Sequence, residues 1–107
     1  MASKKYSVEF SQRAEDMLYQ HTEFLARVSV GAARRLIKGA KELRSKLKTN
    51  PEMYPYADEL DVPGIPYKTY RKCVFEKRYK VLYMIEDNSV FIDAIIDTRQ
   101  ENKDLFN

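Results

Sequence analysis

From residue 79 to residue 97, apolar side chains fall on alternate positions, broken once by Asp87-Asn88. Tyr79, Val81, Tyr83 and Ile85 share one face of the first run, and Val90, Ile92, Ala94 and Ile96 one face of the second. A period of two marks a strand with one buried side. An Asp-Asn pair between two such runs marks a two-residue hairpin. The chain must therefore build an antiparallel pair, predicted over 78–86 and 89–97, and must find an apolar layer to cover it.

That layer lies upstream. Ser11 is a predicted N-cap. Beyond it Ala14, Met17, Leu18, Leu25 and Val28 recur at helical spacing, with His21 and Phe24 on or beside the same stripe, which predicts a helix over 12–28. Ser29 to Gly31 reads as a tight connection. Ala33, Leu36, Ile37, Ala40, Leu43 and Leu47 form a second stripe, to about Lys48, which must end before Pro51. So short a link makes a helical hairpin. In residues 4–10, Tyr6, Val8 and Phe10 alternate with polar residues and predict a strand. Residues 50–66 hold all four prolines and predict a long loop, a feature often functional in small domains. Residues 67–75 predict one more strand. The expected fold is a two-layer α+β domain, with an N-terminal strand, a helical hairpin and a three-stranded antiparallel meander, in one domain over 1–107. The meander's other face carries Lys80, Leu82, Met84, Phe91, Asp93, Ile95 and Asp97, a mixture that makes it the candidate contact surface.

Several function classes are excluded or disfavoured. Cys73 is the single cysteine, so no internal disulfide is expected and a reducing cytoplasm fits. No run approaches the ~18–20 apolar residues of a membrane span. The lone histidine and lone cysteine sit on different elements and make a poor metal-ligand set. His21 is expected to be structural, and so is Cys73. No Gly-rich phosphate loop or nucleophile elbow is present, and no cofactor is expected.

Charge is the strongest remaining signal. The net charge is only +3, yet residues 67–80 carry six Lys or Arg against Glu76, and residues 31–49 carry seven against Glu42. Residues 52–61 carry four acids and no base. Blocks of this kind give a nearly neutral chain a positive face. The block in the meander reads either as a solvated strand surface guarded by lysine or as a phosphate-binding face. Tyr67, Tyr70, Phe75 and Tyr79 are interleaved with it and could stack on bases, although Tyr79 shares the face assigned to the core. The helical cations read as a solvated face. The acidic stretch reads as a screen for the basic face or as a partner contact.

The order of elements, with "YKTYRKCVFEKRYKVLYMIED" and "DTRQ", resembles the RelE/ParE superfamily of bacterial type II toxins over about residues 4–106. The resemblance implies a growth-inhibiting toxin held by a cognate antitoxin. RelE-like members are ribosome-dependent endoribonucleases that cut mRNA in the A site, the activity expected first here; the alternative is that of ParE-like members, which poison DNA gyrase without nuclease activity. A third possibility is an inactive member that retains only antitoxin binding. Metal-independent RNA cleavage needs a base for the ribose 2′-hydroxyl, cations for the charge developing on phosphorus, and a proton for the leaving oxygen. By position, the resemblance assigns catalysis to Lys68, Arg71, Lys80 and Arg99. Lys72, Lys77, Arg78 and a stacking Phe106 would bind substrate. Two departures stand out. Phe106 replaces a tail tyrosine and has no proton to give. Lys80 replaces an arginine and loses the bidentate fork.

Overall fold

The computed structural model describes residues 5–99. Strand β1 (Ser7–Phe10) leads into α1 (Gln12–Val28) and α2 (Val30–Thr49). After a 3-10 turn at Pro51–Met53 and a loop come β2 (Arg71–Phe75), β3 (Tyr79–Glu86) and β4 (Ser89–Asp97). The four strands form one sheet in the order β1-β4-β3-β2, with β1 parallel to β4 and the rest antiparallel. The two-layer α+β expectation holds.

Local chemistry sets the helix ends. Ser11 Oγ accepts from Ala14 N at 3.0 Å and donates to Asp93 O at 3.1 Å, which caps α1 and ties it to the sheet. One residue separates the helices. Ser29 is extended (φ −157°, ψ 117°); its N–H donates to Leu25 O, and its Oγ accepts from Ala32 N. A single serine thus ends one helix and caps the next. Leu36, Leu43 and Leu47 of α2 pack with Ala14 of α1 on Tyr79, Val81, Tyr83, Val90, Ile92 and Ile95 of the sheet. His21 has the structural role expected of it: Nε2 donates to Ile95 O at 2.8 Å, and its ring packs on Tyr79. Phe24 and Val28, read from periodicity as on or beside the buried stripe, stand exposed, while Leu25 between them still packs on the core.

The strands depart from the sequence reading in two places. Leu82 opposes Ala94 while Tyr83 opposes Ile92, so Asp93 is an extra residue in β4. This bulge exchanges the faces of β4. Val90 and Ile92 face the helices as expected, but so do Ile95 and Asp97, while Ala94 and Ile96 turn to the other side with Leu82. Alternation alone is blind to such a slip. Secondly, the strand expected over 67–75 begins at Arg71. Residues 66–69 form a turn, with Thr69 N and Oγ1 both donating to Pro66 O and Lys68 left-handed at φ 72°.

The β2–β3 turn is strained. Glu76 and Lys77 both have positive φ, 53° and 56°, under a long hydrogen bond from Arg78 N to Phe75 O of 3.3 Å. Asn-Gly is the favoured pair for that backbone. Left-handed backbone costs an L-residue about 1–2 kcal/mol, partly offset in a glycine by unfolded-state freedom. Lys77 is exposed. Lys77→Gly is therefore expected to stabilise the chain by about 0.5–1 kcal/mol. A calorimetric scan should register this as a rise of several degrees in Tm. An unchanged or lower Tm would mean that the Lys77 side chain makes a stabilising contact outweighing the strain.

Candidate functional site

The loop after α2 wraps the edge of the sheet. It begins on the helix side, where the Tyr54 ring meets Tyr83 edge-on and Tyr83 OH donates to Pro51 O at 2.6 Å. It crosses at residues 55–57, where Lys72 N donates to Pro55 O and Ala57 N to Tyr70 O. It then covers part of the open face, laying Ala57 and Val62 on Leu82, Ala94 and Ile96.

That covering decides the environment of two expected site residues. Lys72 and Lys80 both project from the open face, since they pair with Leu82 and Val74 in the β2–β3 register. Their ammoniums meet the carboxylate of Asp61, Lys72 Nζ at 2.7 Å from Oδ2 and Lys80 Nζ at 3.4 Å from Oδ1. Asp58 N donates to the same carboxylate at 3.0 Å. Burial pushes the Asp61 carboxyl up, but the Lys72 hydrogen bond, the Asp58 amide and the two lysine charges outweigh it and hold it down at about 2. The Asp61 hydrogen bond in turn pushes the Lys72 ammonium up, the opposite of what a lysine base requires. Lys80 is only 5% exposed. Of the two readings of the acidic stretch, Asp61 performs the screening one.

Arg71 lies elsewhere, on the β2 face it shares with Tyr83. Its Nη1 donates to Tyr54 O at 2.7 Å and Glu52 O at 3.3 Å, its Nη2 donates to Tyr56 OH at 3.1 Å, and the guanidinium lies 4.2 Å from the Tyr56 ring centre. Lys68 reaches the same ring at 6.0 Å. Both line a cavity of about 260 Å³ with Glu52 and Thr69. The phenol ring, with Tyr67 against its edge, organises this corner.

The third group sits where β2, β3 and β4 meet the helices. Arg78 donates through Nε and Nη2 to both oxygens of Asp97, at 3.0 and 2.7 Å, and Arg99 N donates to Asp97 Oδ1 at 3.0 Å. Burial raises the Asp97 carboxyl, and the Arg78 hydrogen bonds, the Arg99 amide and the Arg78 and His21 charges bring it below the ordinary range. Arg78, Arg99 and Lys77 line a groove of about 220 Å³ together with Arg35 of α2.

The expected site residues therefore fall into three sets. Lys77, Arg78 and Arg99 come together, as do Lys68 with Arg71 and Lys72 with Lys80. Phe106 lies outside the described residues. Asp61, Asp97 and Arg35 join these sets without having been singled out. Asp61 had a signal in the acidic stretch, and Arg35 lay in the helical basic block. Asp97 opens the "DTRQ" motif and was placed on the open face; the bulge that turns it inward leaves no trace in the alternation. Cys73 is buried, and burial pushes its thiol up to about 12, so it is no nucleophile. Among the described residues no helix is long and apolar enough to cross a membrane.

No curated protein sequence matches the chain. A solved structure described as the chromosomal ParDE TA system from P. aeruginosa is similar to it, with a TM-score of 0.66 at 16% identity, over 89% of this chain and 98% of that one. At that identity the likeness speaks to the fold. The family described as ParE toxin of the type II toxin-antitoxin system parDE matches residues 8–102, from the first strand to beyond the last. The helical hairpin, the basic meander and that family match together make the chain a type II toxin of the RelE/ParE superfamily, and it belongs to the ParE toxin family.

Proposed function

We propose that the toxin works by binding a protein target, DNA gyrase, with no RNA chemistry of its own, and that a cognate antitoxin occupies it when it is silent. The observation carrying this reading is the dispersal of the cations that RNA cleavage would need in one place. Lys80 is covered and paired to Asp61 on the open face. Lys68 belongs to the Tyr56 corner, and Arg99 to the groove at the opposite end of β2. A cleavage site needs its base and phosphate ligands around one linkage, within hydrogen-bond reach. The family's parDE description and the fold of the ParDE structure support the same direction.

The deciding experiment is inducible expression of the toxin alone, reading covalent gyrase–DNA breaks and transcript ends from one culture. Gyrase-linked breaks with intact transcripts are expected, and the Lys68→Ala/Arg99→Ala double variant should stop growth as the parent does. Fresh transcript ends that vanish in the double variant would overturn the proposal. They would favour a second reading, RNA cleavage in the groove of Arg35, Lys77, Arg78 and Arg99, whose support is that three of the expected cations share it.

A further inference from the structure

The loop over the open face is held unusually. Among the described residues, the backbone hydrogen bonds of residues 58–66 are all local, such as Val62 N to Asp58 O and Ile65 N to Val62 O, and none reaches the sheet. What attaches this segment to the sheet is side-chain chemistry. Asp61 reaches two ammoniums, and Val62, with Ala57 before it, rests on the apolar floor of Leu82 and Ala94. Leu60, between them, is 88% exposed. A segment attached only through its side chains covers the surface much as a bound peptide would.

We infer that the face of Lys72, Lys80, Leu82 and Ala94 is a recognition site for a partner protein's segment in which a carboxylate stands beside an aliphatic residue, filled in the isolated toxin by its own Asp61-Val62. The inference rests on the protein-binding reading and adds the chemistry of the segment recognised. The cover itself defines the ligand: one carboxylate bridging two amines, with small aliphatic groups on either side. A phosphodiester fits this face less well. It would set a hydrated ribose against Leu82 and Ala94, and desolvating polar groups without partners is costly. The covering segment competes as a tethered ligand, at an effective concentration in the millimolar range, so a partner must outbid it or the cover must be weakened.

The test uses the full chain carrying Asp61→Asn and a fluorescent peptide copying residues 55–66, PYADELDVPGIP. Anisotropy should give affinity at least about tenfold above that of the wild-type chain, whose own carboxylate still competes. A peptide with asparagine at its Asp61 position should lose about tenfold, and so should Lys72→Met in the Asp61→Asn background. A single-stranded RNA of twelve nucleotides should gain nothing from Asp61→Asn. Equal affinities for the two chains, or a gain confined to RNA, would overturn the site. Should Asp61→Asn fail to fold by circular dichroism, the wild-type chain decides. Millimolar peptide must then shift the amide resonances of Lys72, Lys80, Leu82 and Ala94, and unshifted resonances reject the site. A toxin that poisons gyrase yet fails here loses the site and keeps its function; one that cuts RNA yet passes loses the function and keeps the site.

Discussion

Replacing Asp97 with alanine is expected to destabilise the toxin by about 3–5 kcal/mol, the usual cost of removing one partner from a buried ion pair. Asp97 is 3% exposed, and both of its oxygens are engaged by Arg78, one of them also by the Arg99 amide. Without the carboxylate the Arg78 guanidinium, with a side chain only 20% exposed, loses its counter-charge beside Tyr79. Urea denaturation should reveal the loss as a lower midpoint at unchanged slope. A loss below about 1 kcal/mol would mean that water reaches Arg78 and replaces the pair. Arg78→Met in the Asp97→Ala background should restore part of the stability, because a hydrophobic pair of similar volume often replaces a buried ion pair at little cost.

Asp97 and Asp61 also set the acid limit. Both carboxyls are held below their ordinary range in the folded chain, Asp61 at about 2. The unfolded chain therefore binds protons at these sites more readily than the folded one. Their contribution is complete above the unfolded value of about 4, and it is lost as pH falls from there toward 2. For Asp61 it amounts to about 2 kcal/mol. Asp61→Asn should therefore flatten part of the stability decline below about pH 4, while leaving the shape of the profile between pH 6 and 8 unchanged.

Arg71→Met is expected to cost about 2–3 kcal/mol, even though the resemblance to RelE-like toxins puts Arg71 in a catalytic set. Its guanidinium satisfies two loop carbonyls and a phenol and stacks on Tyr56. Charged hydrogen bonds of this kind contribute about 1.5–3 kcal/mol each when well buried and less when half-exposed, and the ring contact about 0.5–1 kcal/mol. Arg71→Lys should rescue little, since an ammonium cannot span three acceptors with one plane. Amide hydrogen exchange localises the effect, with faster exchange expected around residues 54–57 and 70–72. Native stability combined with lost toxicity would instead return Arg71 to a functional role.

The sequence was most transparent where structure is local. Ser11, the helix to Val28 and the stop before Pro51 are matters of capping and period, and α1 spans the expected residues, while α2 starts at Val30, inside the link expected over Ser29 to Gly31. Asp87-Asn88 likewise turns β3 into β4. Failures came where distant residues decide. Nothing near Asp93 announces a bulge. Its reasons are Ser11 and Tyr70, whose hydroxyls donate to the Asp93 carbonyl and carboxylate. The basic block of residues 68–80 looked continuous because it is continuous in sequence. A strand sends neighbours to opposite faces, and a turn at each end of β2 separates Lys68 from Lys77 further. The fold could thus be read before the site, because a site is made of side-chain directions and partners that composition does not encode.

One consequence of the strand order concerns the making of the protein. Among the described residues, β1, the first of the four strands to be made, finds its sheet neighbour in β4, the fourth. Pairing so far apart in sequence is slow, and a growing polypeptide cannot achieve it before both partners have left the ribosome. A nascent toxin thus has an incomplete sheet until β4 has emerged, and its mature surface is assembled only after that strand is made.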